Sequence, residues 1–257
     1  MTKRPALIAA AVVLLLVVGG GAAAWALLLR GDDVAPLVLP SLGPVASSAA
    51  AAVSPDAGSS GATTSLPPAS AVAVDAAAIP GTWTIGSGSV VGYRVRERLA
   101  SLSADSDAVG RTSSITGTAT IAASGSGNSV TAAAFSVDMT SIASDRPMRD
   151  NRLRGDGIQT DSFPTSTFKL TTPVVLPAAA TTGAQVTLTL HGDLTLHGVT
   201  KTVDIPATAQ LNGSAIQVVG ALAFPFSDFS INAPNIGGFV AVEDHGTLEF
   251  LVNLTKS

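Results

Sequence analysis

The stretch AQVTLTLHGDLTLHG, residues 184–198, alternates apolar and polar side chains along almost its whole length. Val186, Leu188, Leu190, Leu194 and Leu196 fall on one face; Thr187, Thr189, His191, Asp193, Thr195 and His197 fall on the other. A period of two is that of a strand with one dry face and one wet face. Gly192, in the middle, is expected to mark a bend or a bulge. The same alternation recurs at residues 83–85, 89–99, 114–122, 130–139, 167–176, 199–211, 214–224 and 240–254. Between them stand turn signals: Ser124–Asn128 (SGSGN), Gly198, and Asn212-Gly213, which reads as a type I′ hairpin. Long strands joined by short turns, with almost no helical period, give an antiparallel all-β domain. Only four lysines are present in the chain to blunt exposed sheet edges, which favours a closed barrel over an open sheet, with a sandwich as the competing architecture.

This alternating part occupies residues 79–257, and what precedes it is different material. Residues 6–29 hold 24 consecutive uncharged positions. As a helix they would extend about 36 Å, enough for a bilayer core of roughly 30 Å. Lys3 and Arg4 before this run would stay cytoplasmic and send the remainder outward. Residues 1–30 therefore read as a transmembrane signal anchor. A signal peptide cut near Ala22-Ala23-Ala24 is the alternative, which would make the product secreted. Residues 31–78 are rich in Ala, Ser, Pro and Thr with no lasting period, the composition of a disordered linker; a coil of that length reaches ~40 Å.

Composition excludes several functions. There is no cysteine, so disulfides, thiolate metal sites and a cysteine nucleophile are ruled out. A formal charge of −4 gives no pull on nucleic acid. Of three histidines, His191 and His197 would lie ~20 Å apart on a regular strand, too far to share an ion. His245, beside Glu243 and Asp244, reads as part of a turn. No G-x-S-x-G elbow and no G-x-G-x-x-G loop is present, so no catalytic set and no cofactor are expected.

Residues 141–166 break the alternation and carry four of the ten arginines, Arg146, Arg149, Arg152 and Arg154. Asp145–Arg149 and Asp150–Arg154 have the i,i+4 spacing of helix ion pairs, and Gly155 follows as a stop, so a helix of about two turns is expected. The arginines either form solvated pairs with these aspartates or hold an anionic head group at a barrel rim.

Arg149-Asp150-Asn151-Arg152-Leu153, then Phe163-Pro164 and Phe168, then Leu194–Lys201 (LTLHGVTK), with Val137–Ile142 (VDMTSI) ahead of them, resemble the YceI-like proteins in order and spacing. The resemblance spans residues 79–257. It implies an eight-stranded, lipocalin-like antiparallel barrel, which in some members takes a long polyisoprenoid along its axis, and here a lipid-binding or isoprenoid-binding module without catalysis. The chain departs from the pattern at Arg152, where many members have histidine, and at Arg96-Glu97-Arg98, where many end the second strand with histidine.

The candidate bore residues are Tyr93 and Val95, which share a strand face with Val91, together with Phe135 and Phe168. Met148, Arg149, Arg152, Leu153 and Phe163 are the candidates at the insertion. The expected ligand is an amphiphilic lipid such as a polyisoprenoid or an isoprenoid quinone, bound outside the cytoplasm by a membrane-tethered barrel. An envelope stress or interaction protein with a packed barrel is the alternative.

Overall fold

Successive hairpins lay each strand beside the one before it, and the last strand returns to the first. The computed structural model describes residues 34–40, 79–99, 105–125, 127–233, 235–236 and 240–257. The apolar run 6–29 lies outside the described residues, as does residues 31–78 apart from 34–40. Among the described residues no helix is long and apolar enough to cross a membrane.

Fourteen strand segments make eight staves, because several staves are interrupted once without losing their place. Gly81–Ile85 (β1) and Val90–Leu99 (β2) form the first, and Ser106–Thr112 (β3) with Ile115–Ser124 (β4) the second. Gly127–Asp138 (β5) and the short Ala143–Ser144 (β6) form the third, Thr165–Leu170 (β7) and Val174–Leu176 (β8) the fourth. Val186–Leu196 (β9), Val199–Asn212 (β10) and Ala215–Pro225 (β11) follow, and after the two-residue Asn235–Ile236 (β12) the eighth stave is Val240–Val242 (β13) with His245–Lys256 (β14). Every neighbouring pair is antiparallel, and β14 closes the ring by pairing with β1 through Trp83–Lys256 and with β2 through Val91–Phe250. The result is an eight-stranded up-and-down antiparallel barrel, with every stave paired on both sides.

Among the described residues the one α-helix, Pro147–Gly155 (α1), follows from its ends. Pro147 suits the first turn, Asp150 lies in it, and Arg152 and Arg154 lie in the last turn, as the helix dipole favours. The Asp145–Arg149 pair forms. The expected Asp150–Arg154 pair does not: Asp150 accepts hydrogen bonds from Ser144 N and Oγ (3.0 and 2.7 Å), and Arg154 donates to Asn151 (3.0 Å).

Other local expectations are corrected by the sheet. Gly192 is neither bend nor bulge, since β9 runs straight through it with unbroken register to β10. It is there because a Cβ would sit 2.4 Å from the Lys169 carbonyl and 2.6 Å from the Phe168 ring. The one register shift between β4 and β5 falls instead at Thr120/Ile121. The turn at Asn212-Gly213 is centred one residue later, on Gly213-Ser214, with positive φ only at Gly213 (58°), the pattern of a II′ turn. Residues 167–176 and 240–254 are each two segments. Thr171-Thr172-Pro173 divides the first, because proline cannot donate to a ladder, and Glu243-Asp244 divides the second.

Candidate functional site

The alternation that builds the wall also builds what it encloses. The inward positions around the middle of the barrel are mostly apolar, and between them a cavity of about 200 Å³ is lined from Ile79, Leu211 and Leu254 at one end to Tyr93, Ile142 and Leu248 at the other. Trp83 and Ile79 pack across the first end, with the Trp83 indole donating to the Ile79 carbonyl (2.9 Å). The second end is packed by Met139, Ile142, Phe226, Phe229 and Ile231, with Leu153 of α1 against them.

The bore stays open because its rings lean on glycines. Tyr93 is paired with Gly110, Phe135 with Gly117 and Phe250 with Gly220 across neighbouring staves. A Cβ on these glycines would come within 2.3 Å of the Tyr93 ring, 2.6 Å of Phe135 and 2.4 Å of Phe250. Each ring therefore occupies the space over a bare backbone on the wall, where any other residue would push it toward the axis.

Polar groups facing this space are few. Ser166 Oγ is used up by the Thr195 carbonyl (2.7 Å). The Tyr93 hydroxyl is buried and has no hydrogen-bond partner among the described residues. Burial raises its pKa well above the ordinary phenol range, the nearby Asp150, Glu97 and Asp145 adding to the effect and Arg149 opposing it. It is a neutral donor that none of the described residues satisfies.

Of the residues singled out in the sequence, Tyr93, Phe135 and Phe168 line the cavity together. Val95 belongs to the packed cluster at the α1 end and touches the Phe226 side, below the cavity proper. Phe163 sits over Gly198 and stacks edge-on against His197, ring centroids 4.3 Å apart. Leu153 is half-buried under α1, whereas Met148 is 82% exposed on its outer side. Arg149 is mostly buried, its guanidinium held by Glu97 (2.7 Å) and by Asp145. Burial works against its charge, but these carboxylates outweigh that and its pKa is raised. Arg152 points outward to Asp156 (2.7 Å), both more than half exposed. Arg149 and Arg152 are thus pinned to carboxylates, and neither lines the bore.

Several lining residues were missed in the sequence: Ile205 and Ala209 of β10, Ile216 and Val218 of β11, and Leu248, Phe250, Val252 and Leu254 of β14. Their alternation was visible, but nothing in it distinguishes a residue lining a space from one filling it. Each histidine is engaged locally: His191 with Asp204 (2.7 Å), His197 with the Phe229 carbonyl (3.0 Å), and His245 with Glu243 and Asp244. Among the described residues no three His, Asp or Glu side chains gather as metal ligands.

A closed antiparallel meander around a mostly apolar interior defines the class of up-and-down β-barrels. Residues 83–254 match the YceI-like domain, and the chain belongs to that family. UPF0312 protein VPA0850 of Vibrio parahaemolyticus is 33% identical over 116 residues, 42% of this chain and 58% of that protein. This chain thus matches a little over half the length of that curated relative. Among solved structures, a polyisoprenoid binding domain from Saccharophagus degradans implicated in plant cell wall breakdown superposes with a TM-score of 0.51. It is 17% identical and covers 69% of this chain and 99% of its own, which supports the shared fold. BcnA of Burkholderia cenocepacia gives a TM-score of 0.45 at 20% identity over 70% of this chain and 98% of its own.

Proposed function

We propose that the barrel binds one slender prenyl-type lipid along its axis and carries no catalytic activity. The observation that supports this best is the cavity itself: apolar along its length, about 200 Å³, with a single unsatisfied donor, Tyr93 Oη, near the α1 end. At 200 Å³ it lies below the roughly 300–1,000 Å³ of pockets that take bulky ligands, and fits an unbranched or methyl-branched chain in single file. An apolar void of this size stays dry, and left unfilled it forgoes on the order of 5 kcal/mol at about 24 cal/mol per Å³. The name of the Saccharophagus domain points to the same ligand class.

The head group in this reading is neutral and offers an acceptor, such as a carbonyl or hydroxyl oxygen, to Tyr93. A pyrophosphate would need free cations, and Arg149 and Arg152 already face carboxylates. The apolar run 6–29, with Lys3 and Arg4 before it, motivates a placement of the barrel on the outer side of a membrane, tethered by that run. Organic extraction of the native protein followed by mass spectrometry tests the binding role. One prenyl lipid per chain is the expected result; a barrel that repeatedly yields no lipid, and whose Tm does not rise when prenyl alcohols or quinones are added, overturns it.

A further inference from the structure

We propose that the outer wall of the barrel carries a built seat for residues 34–40 of the same chain, so that this segment is clipped to the protein and is not part of a free tether. Three side chains from three different staves donate to three carbonyls of the segment. Arg94 Nη2 bonds Val34 O (2.7 Å), Arg111 Nη2 bonds Ala35 O (2.7 Å), and Gln210 Nε2 bonds Pro40 O (3.1 Å). From β3, which carries Arg111, to β10, which carries Gln210, the path crosses β2, β14 and β11. Four strand spacings amount to roughly 19 Å. Seven extended residues cover about 20 Å from first to last, so the segment is matched to the span. Pro36 and Pro40 hold it extended and leave fewer N–H groups to satisfy, while Leu37 and Leu39 are half-buried and Val38 between them is 71% exposed.

The wall beneath is prepared for a cover. Glu249 lies between Leu248 and Phe250, which face the bore, so its own side chain points outward, where a single-layered barrel should leave it wet. Yet Glu249 is 5% exposed, and Gln210, also part of the seat, is 2% exposed. The Glu249 carboxylate is gripped by the same two guanidinium groups that hold the segment, Arg94 (2.6 Å) and Arg111 (3.2 Å). Gln210 continues into an amide ladder through Gln217 to Asn253, both links 2.9 Å. Charged residues are rarely this buried unless paired, and carbonyl-rich extended segments are what such donor rows receive.

The chain has no cysteine, so two introduced ones report cleanly. Spin labels at Val38→Cys and Ala223→Cys, both exposed sites, are placed in the full chain in detergent micelles and their separation is measured by pulsed electron resonance. A single narrow distance, retained when labelled chains are diluted with unlabelled ones, is expected. Leu37→Asp with Leu39→Asp, changes confined to the segment, should spread that distance toward the ~35 Å range of a free coil while the barrel's Tm is kept. A broad distribution in the parent protein overturns the proposal. So does a narrow distance that disappears on dilution, which would assign the seat to the segment of a second copy.

Discussion

Gly220 shows how much one missing methyl group can do. It stands opposite Phe250, and an alanine there would put its Cβ 2.4 Å from the ring. The ring must then swing toward the axis, at the cost of about 1–3 kcal/mol typical of overpacking. Gly220→Ala is expected to lower unfolding free energy in urea by that amount and to reduce lipid uptake, with Phe250→Leu on the same background restoring both. Tyr93 makes the opposite case, a group too many. Tyr93→Phe removes a buried hydroxyl that has no partner, so the empty barrel should melt at a higher temperature. Binding of a prenyl quinone should weaken roughly fivefold or more by titration, since a hydrogen bond of about 1 kcal/mol is lost. Unchanged affinity would place the head group elsewhere.

At the level of elements, α1 differs from the strands in what holds it. None of its residues is fully buried, and Leu153 is its main apolar contact with the core. Its fixed point is electrostatic: Arg149, 14% exposed, bonds to the buried Glu97 of β2. Glu97→Gln should loosen this end of the barrel, speeding release of a fluorescent polyene lipid about tenfold, the effect of losing a charge-assisted hydrogen bond. The strands show why sequence reading succeeded where it did. β9 and β10 were legible because their apolar positions recur every second residue, in β9 with only Gly192 standing among them and in β10 from Val203 to Leu211. β3 was not, since SDAVGRT places Ala108, Val109 and Gly110 in a row, all buried, with no period to detect. Its Arg111 serves the outer seat and its Gly110 makes room for Tyr93, so local sequence there reflects neighbours far along the chain. The same holds for the insertion. Spacing alone pairs Arg154 with Asp150, but Ser144 of β6, brought in by the sheet, takes Asp150 instead. Of the candidate site, Tyr93, Phe135 and Phe168 were readable, whereas Phe250 and the glycines that give the rings room were not.

For the molecule as a whole, the outer charges set its response to acid. Burial tends to raise the Asp107 carboxyl, but hydrogen bonds from Arg96 and Arg94 outweigh it and hold it below the ordinary carboxylate range. A carboxylate depressed by folding contributes stability that is complete above the unfolded value and is lost as pH falls through the folded one. Tm should therefore be level near neutrality and fall below about pH 4, and Asp107→Asn should shrink that fall while lowering Tm at pH 7. Because Asp107 shares Arg94 with Glu249, the same acid range should also weaken the hold on residues 34–40.

The seam of the ring lies where β14 meets β1 and β2, some 160 positions apart in the chain. During synthesis the first stave has its hydrogen-bonding edge open on that side until residue 256 has emerged from the ribosome. Sealing is thus a terminal event, slow for the same reason that all non-local pairings are slow. A nascent chain stalled short of β14 would present that raw edge, with the greasy interior behind it, to whatever chaperone attends its birth.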